Sequence, residues 1–328
     1  MLKLGIIGLG QWGQHLVQSI QGKSERVRFV SGYSTEPDAV AGFAQRHCLR
    51  LTAEYADILA DPELPAVVIA TPHSRHLQHI VEVCKSGKHV FVEKPLALTR
   101  RDAEQAWKAC SEAEVGLFVG YNWRFQPALI ALADIVRGGG LGEICHIEGN
   151  YSGPSAFRRT PGSWRTLRSE SPAGGMTGRG IHVLNAMNLL CGPITSVFAY
   201  NDRKAAPYDL EDTTSALLRF TNGVTGYVGA CQVTAEFWRL QVFGVKGWAE
   251  MRMEHNLTTC LIDGAPESKT FPAIVPEFFE LEAFADAIKG NCFSVQAVQD
   301  AIDGVALLEA IERSARIGRQ IEVEQASP

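Results

Sequence analysis

Over its first 120 residues the chain alternates short β-rich apolar runs with stretches whose apolar residues recur at helical spacing. LKLGIIGLG (2–10), VRFVSGY (27–33), AVVIAT (66–71), HVFVEKP (89–95) and LFVGYN (117–122) read as strands. Between them, QHLVQSI (14–20), PDAVAGFAQRH (37–47), HLQHIVEVCKSGK (76–88) and TRRDAEQAWKACSEA (99–113) read as helices. That alternation implies a parallel sheet covered by helices on both faces. Near Asn122 the pattern shifts to longer strand candidates at 142–153, 196–203, 213–233, 239–253 and 258–264. Thr221-Asn222-Gly223 divides the third of these as a hairpin turn, which favours antiparallel pairing. Two helices follow, around Pro276–Lys289 and Ala297–Ile317. Phe278, Leu281, Phe284, Ala285 and Ile288 form an apolar, core-facing stripe on the first. The expected class is α/β: a doubly wound parallel sheet over 1–122, then an α+β domain with a mostly antiparallel sheet over 123–328.

Composition narrows the function classes. A chain of 328 residues with 46% hydrophobic and 20% charged residues is an ordinary soluble globular protein of about two domains. A net charge of -5 argues against general binding to nucleic acid or a membrane surface, both of which favour basic faces. No apolar run reaches the roughly 18 residues of a membrane span. The N-terminal MLKLGIIGLG enters a strand-like run at once, with no signal-peptide pattern. Eight cysteines without CxxC spacing read as reduced, mostly buried thiols of a cytoplasmic protein.

Gly8-Leu9-Gly10-Gln11-Trp12-Gly13 stands between the first strand and the first helix, the context in which GxGxxG binds a dinucleotide. Gly8 permits the turn, Gly10 lets backbone approach a pyrophosphate, and Gly13 lets helix and strand pack closely. The first domain is therefore a Rossmann dinucleotide-binding domain, with Gln11 and Trp12 among its contacts. The second strand carries no acid at its tip to hold a ribose hydroxyl. Ser34 and Thr35 suit a 2′-phosphate instead, although no arginine adjoins them, so the cofactor is NADP or NAD with a lean to NADP. Thr71, Pro72 and His76 follow the third strand on the nucleotide side of the sheet. His73-x-x-His76-x-x-His79 has metal-like spacing, but the third histidine falls about 240° around a helix from the first. No metal is expected.

Glu93-Lys94-Pro95 ends a strand at the edge where open α/β sheets bind ligands. At this point the chain resembles the Gfo/Idh/MocA dehydrogenases. GLGQWG, AVVIATPHSRH, GKHVFVEKP, NWRFQP, GGMTGRGIH and EDTTSALLRFTNG carry the likeness over nearly the whole length. The resemblance implies an open, mostly antiparallel second sheet whose free face forms a homo-oligomer, a dimer or tetramer. It implies that Glu93 and Lys94 lie at the cofactor, that Lys94 also touches the substrate hydroxyl, and that His182 is the acid/base. The family often shows D-x-G-x-H where this chain has Gly178-Arg179-Gly180-Ile181-His182, so glycine replaces the carboxylate.

IHVLNAMNLL before Cys191-Gly192-Pro193 reads as a helix with His182 in its first turn, where the positive helix end favours a neutral imidazole. Glycines 174, 175, 178 and 180 leave room beside it for a nicotinamide and a substrate. Asn185, about one turn on, shares that face as a substrate contact. Arg158, Arg159, Arg165 and Arg168 form a basic segment that suits an anionic or polyhydroxylated substrate, with Arg165 beside Trp164 the chosen candidate. The same segment equally suits a solvated loop or a subunit contact. Arg124, in NWRFQP, falls at the domain junction. The expected activity is NAD(P)-dependent oxidation of a secondary alcohol, or reduction of its ketone, in a sugar, cyclitol or related small molecule. The rivals are glycoside cleavage through transient oxidation and a non-catalytic cofactor-binding regulator.

Overall fold

The computed structural model describes residues 1–324. Strands β1 (Leu2–Ile7), β2 (Val27–Tyr33), β3 (Arg50–Leu51), β4 (Ala66–Ile69), β5 (His89–Glu93) and β6 (Leu117–Gly120) form one parallel sheet, ordered β3-β2-β1-β4-β5-β6. This is the dinucleotide-binding strand order, with the reversal between β1 and β4. Helices α1 (Gln11–Ile20), α2 (Pro37–Arg46), α3 (Ala56–Ala60), α4 (His76–Lys85) and α5 (Arg100–Glu112) connect the strands. All four residues of β4 are buried, as expected of a strand covered on both faces. β3 and α3 have two and five residues, too few to show a periodicity in the sequence.

The second sheet has nine strands. They are β7 (Ile144–Ser152), β8 (Ile194–Asp202), β9 (Thr213–Phe220), β10 (Thr225–Cys231), β11 (Phe237–Gly244), β12 (Gly247–Arg252), β13 (Asn256–Leu261), β14 (Glu267–Thr270) and β15 (Ile321–Glu322). Their order is β14-β13-β12-β11-β7-β10-β9-β8-β15, antiparallel except for the parallel pair β7 and β10. The predicted turn holds: Gly223 sits at φ +86° between β9 and β10. In β9, Ala216, Leu218 and Phe220 are buried while Leu217 and Arg219 are exposed, so one face is covered and the other open. The sequence pattern missed helix α6 (Pro127–Arg137). Helices α7 (Ser155–Arg158) and α8 (Ile181–Cys191) lie along the chain between β7 and β8.

Two compact units result. The first contains residues 1–97, 101–122 and 275–301; the second contains 98–100, 123–274 and 302–324 of the described residues. The expected domain 123–328 is thus interrupted, because helix α9 (Pro276–Gly290) packs on the parallel sheet. Leu281, Phe284 and Ala285 join the core formed by β1, β2 and α1. The Phe284 ring lies 5.6 Å from Phe91 and 5.8 Å from Phe118. The buried stripe of α9 also differs from the apolar one expected: Glu277 and Glu280 are inside it, whereas Phe278 and Ile288 are only half-buried. Helix α10 (Val295–Ile317) follows.

Cysteine placement is more mixed than the sequence suggested. All eight are free, but Cys48, Cys145 and Cys292 are exposed.

Phe284→Ala is expected to cost about 3–5 kcal/mol in denaturant unfolding, the usual loss for an emptied aromatic core site. Phe279→Ala, on the exposed side of the same helix, should stay within about 0.5 kcal/mol. Equal effects would contradict this placement of α9.

Candidate active site

In the first unit, the three glycines of the phosphate turn have separable reasons to be glycine. Gly8 has φ +103°, and a Cβ there would lie 2.6 Å from the Ala70 carbonyl oxygen. At Gly13 a Cβ would stand 2.0 Å from the Gly8 carbonyl oxygen. Both are demands of the fold. Gly10 has extended backbone, φ -65° and ψ -174°, which any residue can adopt. A Cβ there would meet nothing within 4 Å. The first turn of α1 carries no side-chain cap, so its N–H groups remain for a phosphate. Open space at Gly10 in front of uncapped N–H groups fits a dinucleotide.

Lys94 stands just beyond the C-terminal end of β5, joined to Pro95 by a cis peptide bond. Its ammonium lies 6.0 Å from the centroid of the Trp12 ring, which brings the lysine to the phosphate turn. Beneath them is a group of acids that the sequence reading did not single out, apart from Glu93. Burial pushes the Glu93 carboxyl up to about 7, against the pull of the Lys94 ammonium. Glu280 is fully buried, and neither carboxyl oxygen has a hydrogen-bond partner among the described residues. Burial, then the charges of Glu93 and Glu277, hold it well above the usual carboxylate range. Glu277 behaves oppositely. Burial would raise it, but His15 at 3.3 Å and the Asn122 amide donating at 2.7 Å prevail and keep it below its ordinary value. The Glu277 hydrogen bond in turn raises His15, against the effect of its own burial. The only sequence signal for Glu277 and Glu280 was their spacing of three on a helix whose neighbouring positions are apolar.

The remaining residues assigned to the cofactor are spread around this edge. Gln11 and Thr35 are exposed, while Trp12, Ser34, Thr71 and Pro72 are half-buried. The Ser34 hydroxyl accepts from the Glu36 N–H at 3.1 Å. His76 is fully buried, with Nδ1 2.8 Å from the Pro95 carbonyl oxygen and Nε2 3.2 Å from that of Thr71. It braces the two loops and has no exposed face to offer a cofactor. His79 meets the Thr71 hydroxyl at 3.1 Å, and burial lowers it to about 4. Among the described residues no cluster of His, Cys, Asp or Glu could hold a metal ion.

In the second unit, a π-helical turn, Met176–Gly180, runs directly into α8. His182 is therefore preceded by helical turns, and the expected free positive helix end lies upstream of it. π-turns recur at functional sites because they re-aim side chains. Three of the four glycines serve the turn's own packing. A Cβ at Gly174 would lie 2.7 Å from the Glu211 carbonyl oxygen, one at Gly175 2.3 Å from the Gln232 amide nitrogen, and one at Gly180 2.0 Å from the Met176 sulfur. Only Gly178 leaves open room: a Cβ there would meet Arg159 alone, at 3.5 Å.

His182 is buried, stacked on Trp123 with ring centroids 5.4 Å apart and flanked edge-on by Tyr151 at 6.3 Å. Trp238 completes the aromatic wall 4.3 Å from Trp123. Asn185 is buried too. Its amide oxygen accepts from Arg124 Nε at 2.8 Å, and its amide nitrogen has no partner among the described residues. Arg124, expected at a domain junction, thus orients Asn185. Arg165 lies over its neighbour Trp164, 4.1 Å from the ring centroid. Asp212 fixes the adjoining loop. Burial would raise its carboxyl, but N–H groups of Ala205, Ala206 and Lys204 and the Thr213 hydroxyl hold it below the usual range.

A family model described as the oxidoreductase family with NAD-binding Rossmann fold matches residues 2–121. One for the GFO/IDH/MocA C-terminal domain matches residues 129–250. Levoglucosan dehydrogenase of Pseudarthrobacter phenanthrenivorans is 27% identical over 203 residues, 55% of this chain and 52% of that protein, so the match spans about half its length. Inositol 2-dehydrogenase of Rhizobium meliloti is 25% identical over 342 residues, 98% of this chain and 99% of that one. Among solved structures, levoglucosan dehydrogenase in complex with NADH has a TM-score of 0.89 over 99% of this chain and 100% of that one. The identity is 22%, and the likeness is one of fold.

Gly10→Val should melt like the parent protein yet lose dinucleotide binding in calorimetry, because its side chain fills the phosphate space. Gly13→Ala should instead unfold readily, since its methyl group strikes backbone. Retained affinity in Gly10→Val would remove the phosphate role from this turn.

The buried acids generate a pH dependence. A carboxyl raised in the folded state binds protons more tightly there than in the unfolded chain. Its contribution is favourable at low pH and is lost as pH rises from about 4.3 towards the folded value. Glu280→Gln removes that loss. Its melting temperature relative to the parent should therefore climb between about pH 5 and pH 8. A difference independent of pH would show that Glu280 is not protonated in the fold.

Proposed function

The chain belongs to the Gfo/Idh/MocA oxidoreductase family, and on that premise we propose that it interconverts a secondary alcohol and its ketone in a sugar, cyclitol or related small molecule. The observation that carries this reading is the Lys94 ammonium, held at the end of β5 beside Trp12 of the phosphate turn. A bound nicotinamide supplies the two-electron partner as a hydride acceptor or donor. Gly10 and the N–H groups at the start of α1 would hold the pyrophosphate of the dinucleotide, and Thr71 and Pro72 lie along the same sheet edge.

Lys94 stabilises the negative charge that develops on the reacting oxygen. His182 takes the hydroxyl proton in oxidation and returns it in reduction, with its ring plane set by Trp123. The buried amide nitrogen of Asn185, without a hydrogen-bond partner among the described residues, donates to a substrate hydroxyl, in an orientation fixed by Arg124. Arg165, stacked on Trp164, contributes a second substrate contact. Ser34 and the exposed Thr35, with no acid at the tip of β2, favour NADP over NAD. The substrate and the cofactor are the small-molecule partners.

The chain works in the cytoplasm as a homo-oligomer, a dimer or tetramer, joined through the free face of the second sheet. Eight free cysteines support the reducing compartment. Among the described residues no helix is long and apolar enough to cross a membrane. Leu217 is 59% exposed and pairs across the sheet with Phe198 and Tyr227, which makes an apolar stripe suited to a second copy.

Lys94→Ala and His182→Ala should each bind cofactor nearly as the parent does and slow turnover by about 10²-fold or more. The double variant should be far less impaired than the product of the two, because both groups serve one transition state. Normal turnover of His182→Ala from about pH 6 to pH 9 would make the histidine structural. Reduced-cofactor titrations should favour NADPH; tenfold tighter NADH, roughly 1.4 kcal/mol, would reverse that assignment. Leu217→Arg should lower the mass found by light scattering. An unchanged mass places the contact elsewhere.

A further inference from the structure

The basic segment before the π-turn contains arginines in different electrostatic states. Arg168 is ion-paired with Glu211 and lies 3.8 Å from Asp209. Arg179, in the turn itself, pairs with Glu236 at 2.8 Å and covers the Tyr151 ring. Arg159 has no such partner. Among the described residues it forms no ion pair. Its Nη1 donates to the Arg165 carbonyl oxygen at 3.2 Å, and the Tyr208 hydroxyl lies beside it. The other charged group acting on it is Arg179, of the same sign. Yet its side chain is only partly exposed. Withdrawing a guanidinium from water without a carboxylate is unfavourable unless an anion from outside completes it.

Gly178 shows where that anion has room. Outside the turn's own backbone, Arg159 Nη2 is the atom found within 4 Å of the position of a Cβ there, at 3.5 Å. His182 follows four residues later, close to one turn along the segment in which the π-turn runs into α8. An anion on Arg159 would place atoms two or three bonds away from it beside the His182 turn.

Resting on the oxidoreductase reading above, we propose that the substrate is a hydroxy acid of the sugar or cyclitol class, whose carboxylate docks on Arg159 beside the Tyr208 hydroxyl. Charge selects a carboxylate over a phosphate ester. Arg159 brings one positive charge to this space, and the charge of Arg179 is already answered by Glu236. The planar fork of the guanidinium matches the two carboxylate oxygens.

The test uses matched pairs, D-glucuronate with D-glucose and D-galacturonate with D-galactose, together with glucose 6-phosphate. Binding to the cofactor-loaded protein is measured by calorimetry. At least one acid should bind about tenfold or more tightly than its neutral partner. That ratio should collapse towards one in Arg159→Met and be partly kept in Arg159→Lys, with thermal melting as the folding control. The proposal is overturned if no acid outbinds its partner, if the preference survives Arg159→Met, or if the phosphate ester binds best. Tight acid binding without any cofactor absorbance change in either direction would instead count against the oxidoreductase reading and leave the carboxylate site standing.

Discussion

Helix α1 can point its free N–H groups at a phosphate only because no side chain separates Gly13 from the Gly8 carbonyl. The clearance is so small that a single methyl group there would strike backbone. This close approach seats α1 against β1 and sets the direction of the helix dipole. It also puts Trp12 where the Lys94 ammonium can lie over its ring. The rest of the first unit's chemistry depends on that seating, because the lysine and the acids beneath it surround the same turn.

The interior of the first unit carries more ionisable groups than its core requires. Glu277 is matched by His15 and Asn122, so it stays charged without strain on the fold. Glu280 has no comparable partner and is most stable as the neutral acid. Glu93 lies between these extremes, raised by burial and drawn down by the adjacent ammonium. Such groups are costly in a low-dielectric interior, and their concentration at one sheet edge is typical of functional sites.

In the second unit the same logic applies to shape. Aromatic packing of Trp123, Tyr151 and Trp238 fixes the His182 ring plane, which an isolated helix position could not do. The glycines upstream let the π-turn pack against the loop organised by Asp212. That loop also carries Tyr208 and Glu211, one beside Arg159 and the other bonded to Arg168. Asp212 therefore influences the arginine segment while touching none of it.

The amino-acid sequence by itself determined the parallel sheet, the phosphate turn, the β9–β10 hairpin and the candidacy of Lys94 and His182. The first three are written in local periodicity, turn residues or a short motif, within reach of a few neighbouring positions, and the roles of Lys94 and His182 are what the resemblance to a family implies. Other features belong to tertiary structure alone. Helix α9 returns to the first unit because Phe284 finds Phe91 and Phe118, residues about 190 and 170 positions away. For the same reason Glu277 and Glu280 turned out buried where a helical wheel had suggested Phe278 and Ile288. The four glycines before His182 looked alike in sequence. Only their surroundings showed that three are filled by the chain's own atoms and that one, Gly178, faces a guanidinium across open space. Burial and pairing of charge depend on what the fold brings alongside, and no local pattern encodes that.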